Sequence, residues 1–277
     1  MEPLVGKMDQ ERITLVVNGD DFGYSDAINA AIVRCHQDGV LTSATLLVNQ
    51  RASGAAFALA RRLPALGVGL HLNLTAGAPV LPPDQVPSLV DRRGRFRYLD
   101  AQLARLVAGR LRLADVEREL RAQFATFTAH GLQPSHVDGH LHVQSWPGVL
   151  PIVLRLMREY GVRALRSPLL TAWLPARWRQ ERWWRAQLLA RSAVVCAEAM
   201  LDAARYHDPA SLVAAVAGQP GGLVELMAHP AWTRDAVRGA AQVALLTAPE
   251  LRAALEAAGI RLASYRDLAL PDGAVVP

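Results

Sequence analysis

The chain has 277 residues, 51% of them hydrophobic and 20% charged, with a formal net charge of +5. That length and apolar share exclude a disordered chain and allow a substantial core, while no apolar run reaches the roughly 18 residues of a membrane span. Cys35 and Cys196 are too few for a disulfide framework or a cysteine-based metal site, and the arginines are scattered among acids, so nucleic-acid binding is not expected.

Met1 to Arg12 carries Glu2, Lys7, Asp9, Glu11 and Arg12 without an apolar h-region, so no signal peptide is expected and the cytoplasm is the expected location. Ile13 to Asn18 reads as a strand ending at Gly19-Asp20-Asp21-Phe22-Gly23. Ser25 is placed to cap a helix with Ile28, Ala31, Ile32 and Cys35 on one face, closed by Gly39. Ala44 to Val48 and Val68 to Leu74 read as strands, and Phe57 to Arg62 as part of a helix. Thr75 to about Leu99, rich in Pro and Gly, reads as a long loop.

Farther along, Asp115 is expected to cap a helix that buries Val116, Leu120, Phe124 and Phe127, and Ser135 to Asp138 is a very short strand. Pro147 opens a helix with Ile152, Val153, Leu156 and Met157 on its stripe, and Val162 to Arg166 reads as strand. Leu223 to Ala228, Pro249 to Ala258 and Gly259 to Leu262 complete the chain as strand, helix and strand. Repeated strand-to-helix units favour a parallel α/β sheet closed or nearly closed into a barrel, in one domain over residues 1–277. Two insertions are expected, the loop near 75–99 and a Trp/Arg-rich helical segment near 173–205.

The costly polar residues fall at strand ends, where the loops of such sheets converge: Asp20 and Asp21, His71, the run His136-Val137-Asp138-Gly139-His140-Leu141-His142, and His229. Adjacent carboxylates repel unless a cation or donor sits between them, so the Asp20–Asp21 pair suits either a metal site or a helix cap. If the strand persists, His136, Asp138 and His140 share a face, and imidazole with carboxylate suits Zn²⁺ or a similar ion, a further carboxylate orienting a ligating His. His71 alone reads more readily as a hydrogen-bonded core histidine than as a ligand. No P-loop, no Gly-x-Gly-x-x-Gly after the first strand and no Gly-x-Ser-x-Gly elbow is present, and both cysteines lie in apolar helical contexts.

At Asn18 to Gly23, Gly39 to Thr45, Gly69 to Thr75, His136 to His142, Met227 to Pro230 and Ser264 to Asp267, in that order, the sequence resembles the YdjC-type carbohydrate deacetylases, the family that includes the chitooligosaccharide deacetylases. The resemblance implies a distorted (β/α) barrel related to the polysaccharide deacetylases, and often a homodimer. It makes Asp21, His71 and His140 the ligands of one divalent metal ion, Asp20 the general base and His229 the general acid, with Arg166 holding Asp20 ionised. The ligand set suits Zn²⁺, Mn²⁺ or Fe²⁺, and the family is also associated with Mg²⁺. Leu141 and Gln144 stand where many relatives carry histidine, which implies altered substrate contacts.

The Trp/Arg-rich stretch, with Trp173, Trp178, Trp183 and Trp184, looks more like the hopanoid-biosynthesis-associated branch, HpnK, whose implied substrate is an N-acetylglucosaminyl lipid. The tryptophans fan around a helix rather than forming one stripe, which leaves a membrane-surface helix and a buried or dimer-facing cluster as alternatives. The expected reaction is metal-dependent removal of an N-acetyl group from an amino sugar. A metal-dependent phosphoesterase with the same residues and a non-catalytic carbohydrate- or lipid-binding barrel are the rivals.

Overall fold

The structure, a computed structural model, describes residues 12–168, 186–231 and 237–268. Among the described residues seven strands form one sheet: β1 (Ile13–Phe22), β2 (Ser43–Leu46), β3 (Gly67–Leu72), β4 (Val137–Gly139), β5 (Ala199–Asp202), β6 (Gly222–Ala228) and β7 (Arg261–Leu262). Their order is β4-β3-β2-β1-β6-β5, with β7 beside the start of β1, and every pairing is parallel. Short contacts join the two outer strands. Val137 N donates to Ala164 O and Val137 O accepts from Arg166 N, while the same stretch bonds to Val195, just ahead of β5, through Leu165 N and Arg163 O. The result is the expected distorted barrel, and the central strands are buried on both faces, as parallel sheets require.

Among the described residues, the helices around it include α1 (Asp26–Gln37), α2 (Ser53–Arg62), α3 (Leu99–Val107), α4 (Leu113–Ala129), α5 (Val149–Glu159), α6 (Pro209–Ala217), α7 (Val237–Leu246) and α8 (Pro249–Ala257). The stripes read from sequence are the buried ones: Ala31, Ile32 and Cys35 on α1, Val116, Leu120, Phe124 and Phe127 on α4, and Ile152, Val153, Leu156 and Met157 on α5. Ser25 caps α1 as expected, its hydroxyl accepting from Ile28 N at 3.3 Å.

Several expectations are corrected. β1 does not stop at Asn18 but continues to Phe22, so both aspartates lie within the strand. Asp115 is not the cap of α4: the helix starts at Leu113, and the loop before it turns back so that Ser88 N donates to the Asp115 carboxylate at 2.9 Å. Val162 to Arg166 forms isolated bridges rather than a strand, because it meets each neighbour over a single residue pair. The 173–205 segment is not helical throughout: Ala199–Asp202 is strand β5, paired with β6, and Ala203–Arg205 a 3-10 turn. The four tryptophans of that segment lie outside the described residues.

Candidate functional site

β1 brings Asp20 and Asp21 to the barrel mouth by different means. Pairing with β2 is irregular between Gly19 and Phe22, and Asp21 adopts a left-handed φ of 65°. A non-glycine residue in that region is strained by about 1–3 kcal/mol, and such strain gathers where a side chain must be aimed. The bulge breaks the strand's alternation, so both carboxylates serve one mouth although the residues are adjacent. Gly23, at φ 92°, then turns the chain toward α1, and a Cβ there would meet Leu47 O at 2.9 Å.

Asp21 Oδ1 lies 3.3 Å from His71 Nε2 and 2.8 Å from His140 Nδ1. One ligand atom from each of these residues lies within 4.8 Å of the others, the spacing of a shared cation. His71 is delivered by buried β3; its Nδ1 is 2.6 Å from Asp138 Oδ1, so a carboxylate on the neighbouring strand fixes the ring and leaves Nε2 facing Asp21. His140 begins the turn after β4, where Leu141 and His142 also take left-handed φ values. Asp21 and His140 are partly open to solvent, at 17% and 18%, while His71 is buried. The residues present fit a divalent cation: two imidazoles and a carboxylate, one imidazole braced from behind and the mouth open on one side.

Charge is distributed accordingly. Burial raises the Asp21 pKa, but hydrogen bonds from His140 and His71 outweigh it and hold the carboxyl well below its ordinary range. Burial opposes a proton on His71, yet the charge and hydrogen bond of Asp138, with Asp21, push its pKa up to about 10. A second group of potential ligands, Asp20, His71 and Asp138, shares His71 with the first. It is a poor cation site because the Arg166 guanidinium already lies between its carboxylates.

Arg166 is fully buried and every N–H it has meets a carboxylate. Nη1 and Nη2 each reach an Asp20 oxygen at 2.6 Å, Nη1 also reaches Asp138 Oδ2 at 2.9 Å, and Nε and Nη2 reach Glu225 Oε1 at 2.8 and 2.7 Å. Burial opposes ionisation of Asp20, but Arg166 overrides it and keeps its pKa far below the usual carboxylate value. Asp20 Oδ1 also accepts from Asn18 Nδ2 at 2.8 Å. Oδ2 faces the exposed side chain of His229, whose Nε2 stands 3.6 Å away at the end of β6.

The structure thus brings the six residues that the resemblance assigns, Asp20, Asp21, His71, His140, Arg166 and His229, to one mouth, and it does not bring His136 there. β4 is only three residues long, so the shared face expected for His136, Asp138 and His140 does not form. His136 is buried behind the sheet end, Nε2 bonded to Asn18 Oδ1 at 3.0 Å, and burial pushes its pKa down to about 3. Gly69 makes room for it, since a Cβ at that position would meet the ring at 2.5 Å. Glu225 and Tyr265 were missed as site neighbours. The signal was present: a glutamate inside Leu223–Ala228 is a charge in an apolar strand, which needs a buried partner.

The YdjC-like protein family model matches residues 14–257. The chain belongs to the YdjC-like family. A carbohydrate deacetylase of Brevibacillus brevis is 39% identical over 92% of this chain and 99% of its own length. A chitooligosaccharide deacetylase of Salmonella schwarzengrund is 35% identical over 93% of this chain and the whole of its own. Among solved structures, a candidate cellobiose-phosphate cleavage protein of Enterococcus faecalis superposes with a TM-score of 0.78 at 29% identity, covering 92% of this chain and 98% of that one. This YdjC-like chain therefore aligns with these two relatives over nearly their full length, and the solved structure from Enterococcus faecalis shares its fold.

Proposed function

We propose that this YdjC-like protein is a metal-dependent hydrolase that removes the N-acetyl group from an N-acetylglucosamine-containing sugar. The observation that carries the reading is the side-by-side arrangement of Asp21, His71 and His140 with an ionised Asp20, since amide hydrolysis needs both an electrophile and a base at one carbonyl. The names of the relatives in Brevibacillus and Salmonella support the same reaction class.

Asp21, His71 and His140 would hold the cation. A divalent ion bound there would polarise the amide carbonyl and acidify the attacking water, so that a carboxylate as weakly basic as Asp20 suffices. Asp20 Oδ2 accepts the water proton, being the carboxylate oxygen that Asn18 leaves free. His229, open to solvent and opposite that oxygen, donates a proton to the departing sugar amine, without which water rather than amine would be expelled. Arg166 orients Asp20 and keeps it ionised until the water gives up its proton. Water and amide thereby become acetate and a free amine.

The phosphoesterase reading has less support. A second metal would have to use Asp20, His71 and Asp138, and Arg166 already supplies the positive charge there. The lipid-linked form of the substrate rests on the Trp/Arg-rich stretch alone. None of the helices among the described residues is long and apolar enough to cross a membrane.

The test is acetate release from soluble and lipid-linked N-acetylglucosaminyl substrates after chelation and addition of Zn²⁺, Mn²⁺, Fe²⁺ or Mg²⁺. One metal per chain and metal-restored acetate release are expected, and His140→Ala should lose both. Two or three metals per chain with phosphate release and no acetate release would overturn the proposal.

A further inference from the structure

We infer that Glu225 and Tyr265 are positioning residues for Asp20, acting through Arg166; the inference rests on the function proposed above. A guanidinium held by Asp20 and Asp138 alone would be gripped only along its Nη1/Nη2 edge and could rock about that edge. Glu225 Oε1 grips the opposite edge, at Nε and Nη2, so three carboxylates fix both the plane and the rotation of Arg166. Glu225 is fixed in turn, because its other oxygen accepts the Tyr265 hydroxyl at 2.8 Å.

The circuit closes on the proposed base. The Tyr265 ring stacks on His136 at 4.2 Å between centroids, His136 bonds to Asn18, and Asn18 donates to Asp20 Oδ1. Asp20 is therefore braced from two sides, by Arg166 and by Asn18, and both braces lead to Tyr265. The backbone of Tyr265 is itself pinned, its N–H donating to Ser43 Oγ at 3.2 Å. In the structure Glu225 bonds to Arg166 and Tyr265 to Glu225, rather than to Asp21, His71 or His140. Their effect should therefore appear in turnover and not in metal affinity.

Tyr265→Phe removes one hydroxyl and keeps the stacked ring, Glu225→Ala frees the Nε edge of Arg166, and Glu225→Gln restores an oxygen for Arg166 together with an amide that can meet the tyrosine. With the metal isotherm unchanged in all three, kcat per bound metal should fall about 10-fold in Tyr265→Phe and about 100-fold in Glu225→Ala, with KM little changed, and recover most of that loss in Glu225→Gln. A crystal structure of Tyr265→Phe should show the Arg166–Asp20 pair opened from its two 2.6 Å contacts. A lowered melting temperature with wild-type kcat per bound metal, or an unaltered bidentate pair in that crystal, overturns the inference. If the wild-type protein releases no acetate, the proposed function fails, and the positioning claim is decided by the variant crystal structure alone.

Discussion

Two regions of this molecule bury carboxylates, and they do so for different ends. Under the 75–98 loop, Asp115 accepts from Ser88 N and pairs with Arg112 and Arg118, while Glu119 accepts from Val80 N at 2.9 Å, Leu81 N at 3.2 Å and Gln123 Nε2 at 2.9 Å. Those acceptors are committed to backbone N–H groups and neighbouring side chains, and the pair acts as a clasp that pins a loop with little regular structure to α4. At the barrel mouth the carboxylates converge on Arg166 and on histidines, and Asp21 with His140 keeps a face toward solvent. Buried charge alone therefore does not mark a site. Ligand atoms that face one another and stay reachable do.

The comparison predicts opposite outcomes for the two kinds of carboxylate, the larger effect at the mouth. Asp20→Asn should leave metal bound and lower acetate release by about 10²–10⁴-fold, the usual contribution of a positioned proton acceptor. Glu119→Ala should do the reverse, leaving turnover per bound metal intact while costing about 1–3 kcal/mol, because two half-buried backbone N–H groups lose their acceptor. Denaturant unfolding and acetate assays on both variants check the pair. Wild-type turnover in Asp20→Asn, or lost metal in Glu119→Ala, would erase the distinction.

The two regions should also respond to pH on opposite sides of neutrality. In metal-free protein the His71 pKa is raised from 6.5 to about 10, so the folded state holds this proton more tightly than the unfolded chain. The associated stabilisation is fully present below about pH 6.5 and is lost as pH rises toward 10. A saturating cation displaces that proton from Nε2, so the alkaline loss of melting temperature should vanish with metal, and metal affinity should weaken as pH falls. Asp115 carries the other sign. Burial opposes its charge, but the Ser88 N–H and Arg112 lower its pKa below 3.8, so its contribution is present above that value and is lost on acidification, with or without metal. A metal-insensitive alkaline limb in the melting curve would show that His71 is not a ligand.

Much of this was legible in the residues, and the failures have physical reasons. Helices with a clear stripe, such as α4 and α5, and the β-branched strands were readable because one face dominates their burial. α3 was not: it has no side-chain cap and its leucines are only partly buried. α6 did carry a signal that went unread, since Asp208 caps it by accepting from Ser211 N and Pro209 follows at the first helical position. The resemblance supplied six site residues that the geometry gathers, but the spacing of His136, Asp138 and His140 misled, because a period of two holds only while a strand lasts and β4 ends at Gly139. Glu225 and Tyr265, forty residues apart in sequence, meet only through tertiary packing.

The smallest predicted effect concerns how the mouth meets a sugar. Tyr24 follows the strained turn that aims Asp21, its N–H donating to Asp21 O at 3.0 Å, and its ring stacks near His140 with centroids 6.3 Å apart. It nevertheless remains 42% exposed, unlike the aromatic residues of the core, so an aromatic face stands beside the proposed cation ligands. A pyranose presents an apolar C–H face to such a ring. Removing a contact of about 0.5–1.5 kcal/mol should raise KM about 2- to 10-fold in Tyr24→Ala with kcat nearly unchanged, and Tyr24→Phe should retain the wild-type value. The same substitution should be silent toward an acyclic acetamide, which has no ring to stack. An equal loss on both substrates would mean that Tyr24 acts on His140 and the metal ligands instead, moving it from the sugar to the chemistry.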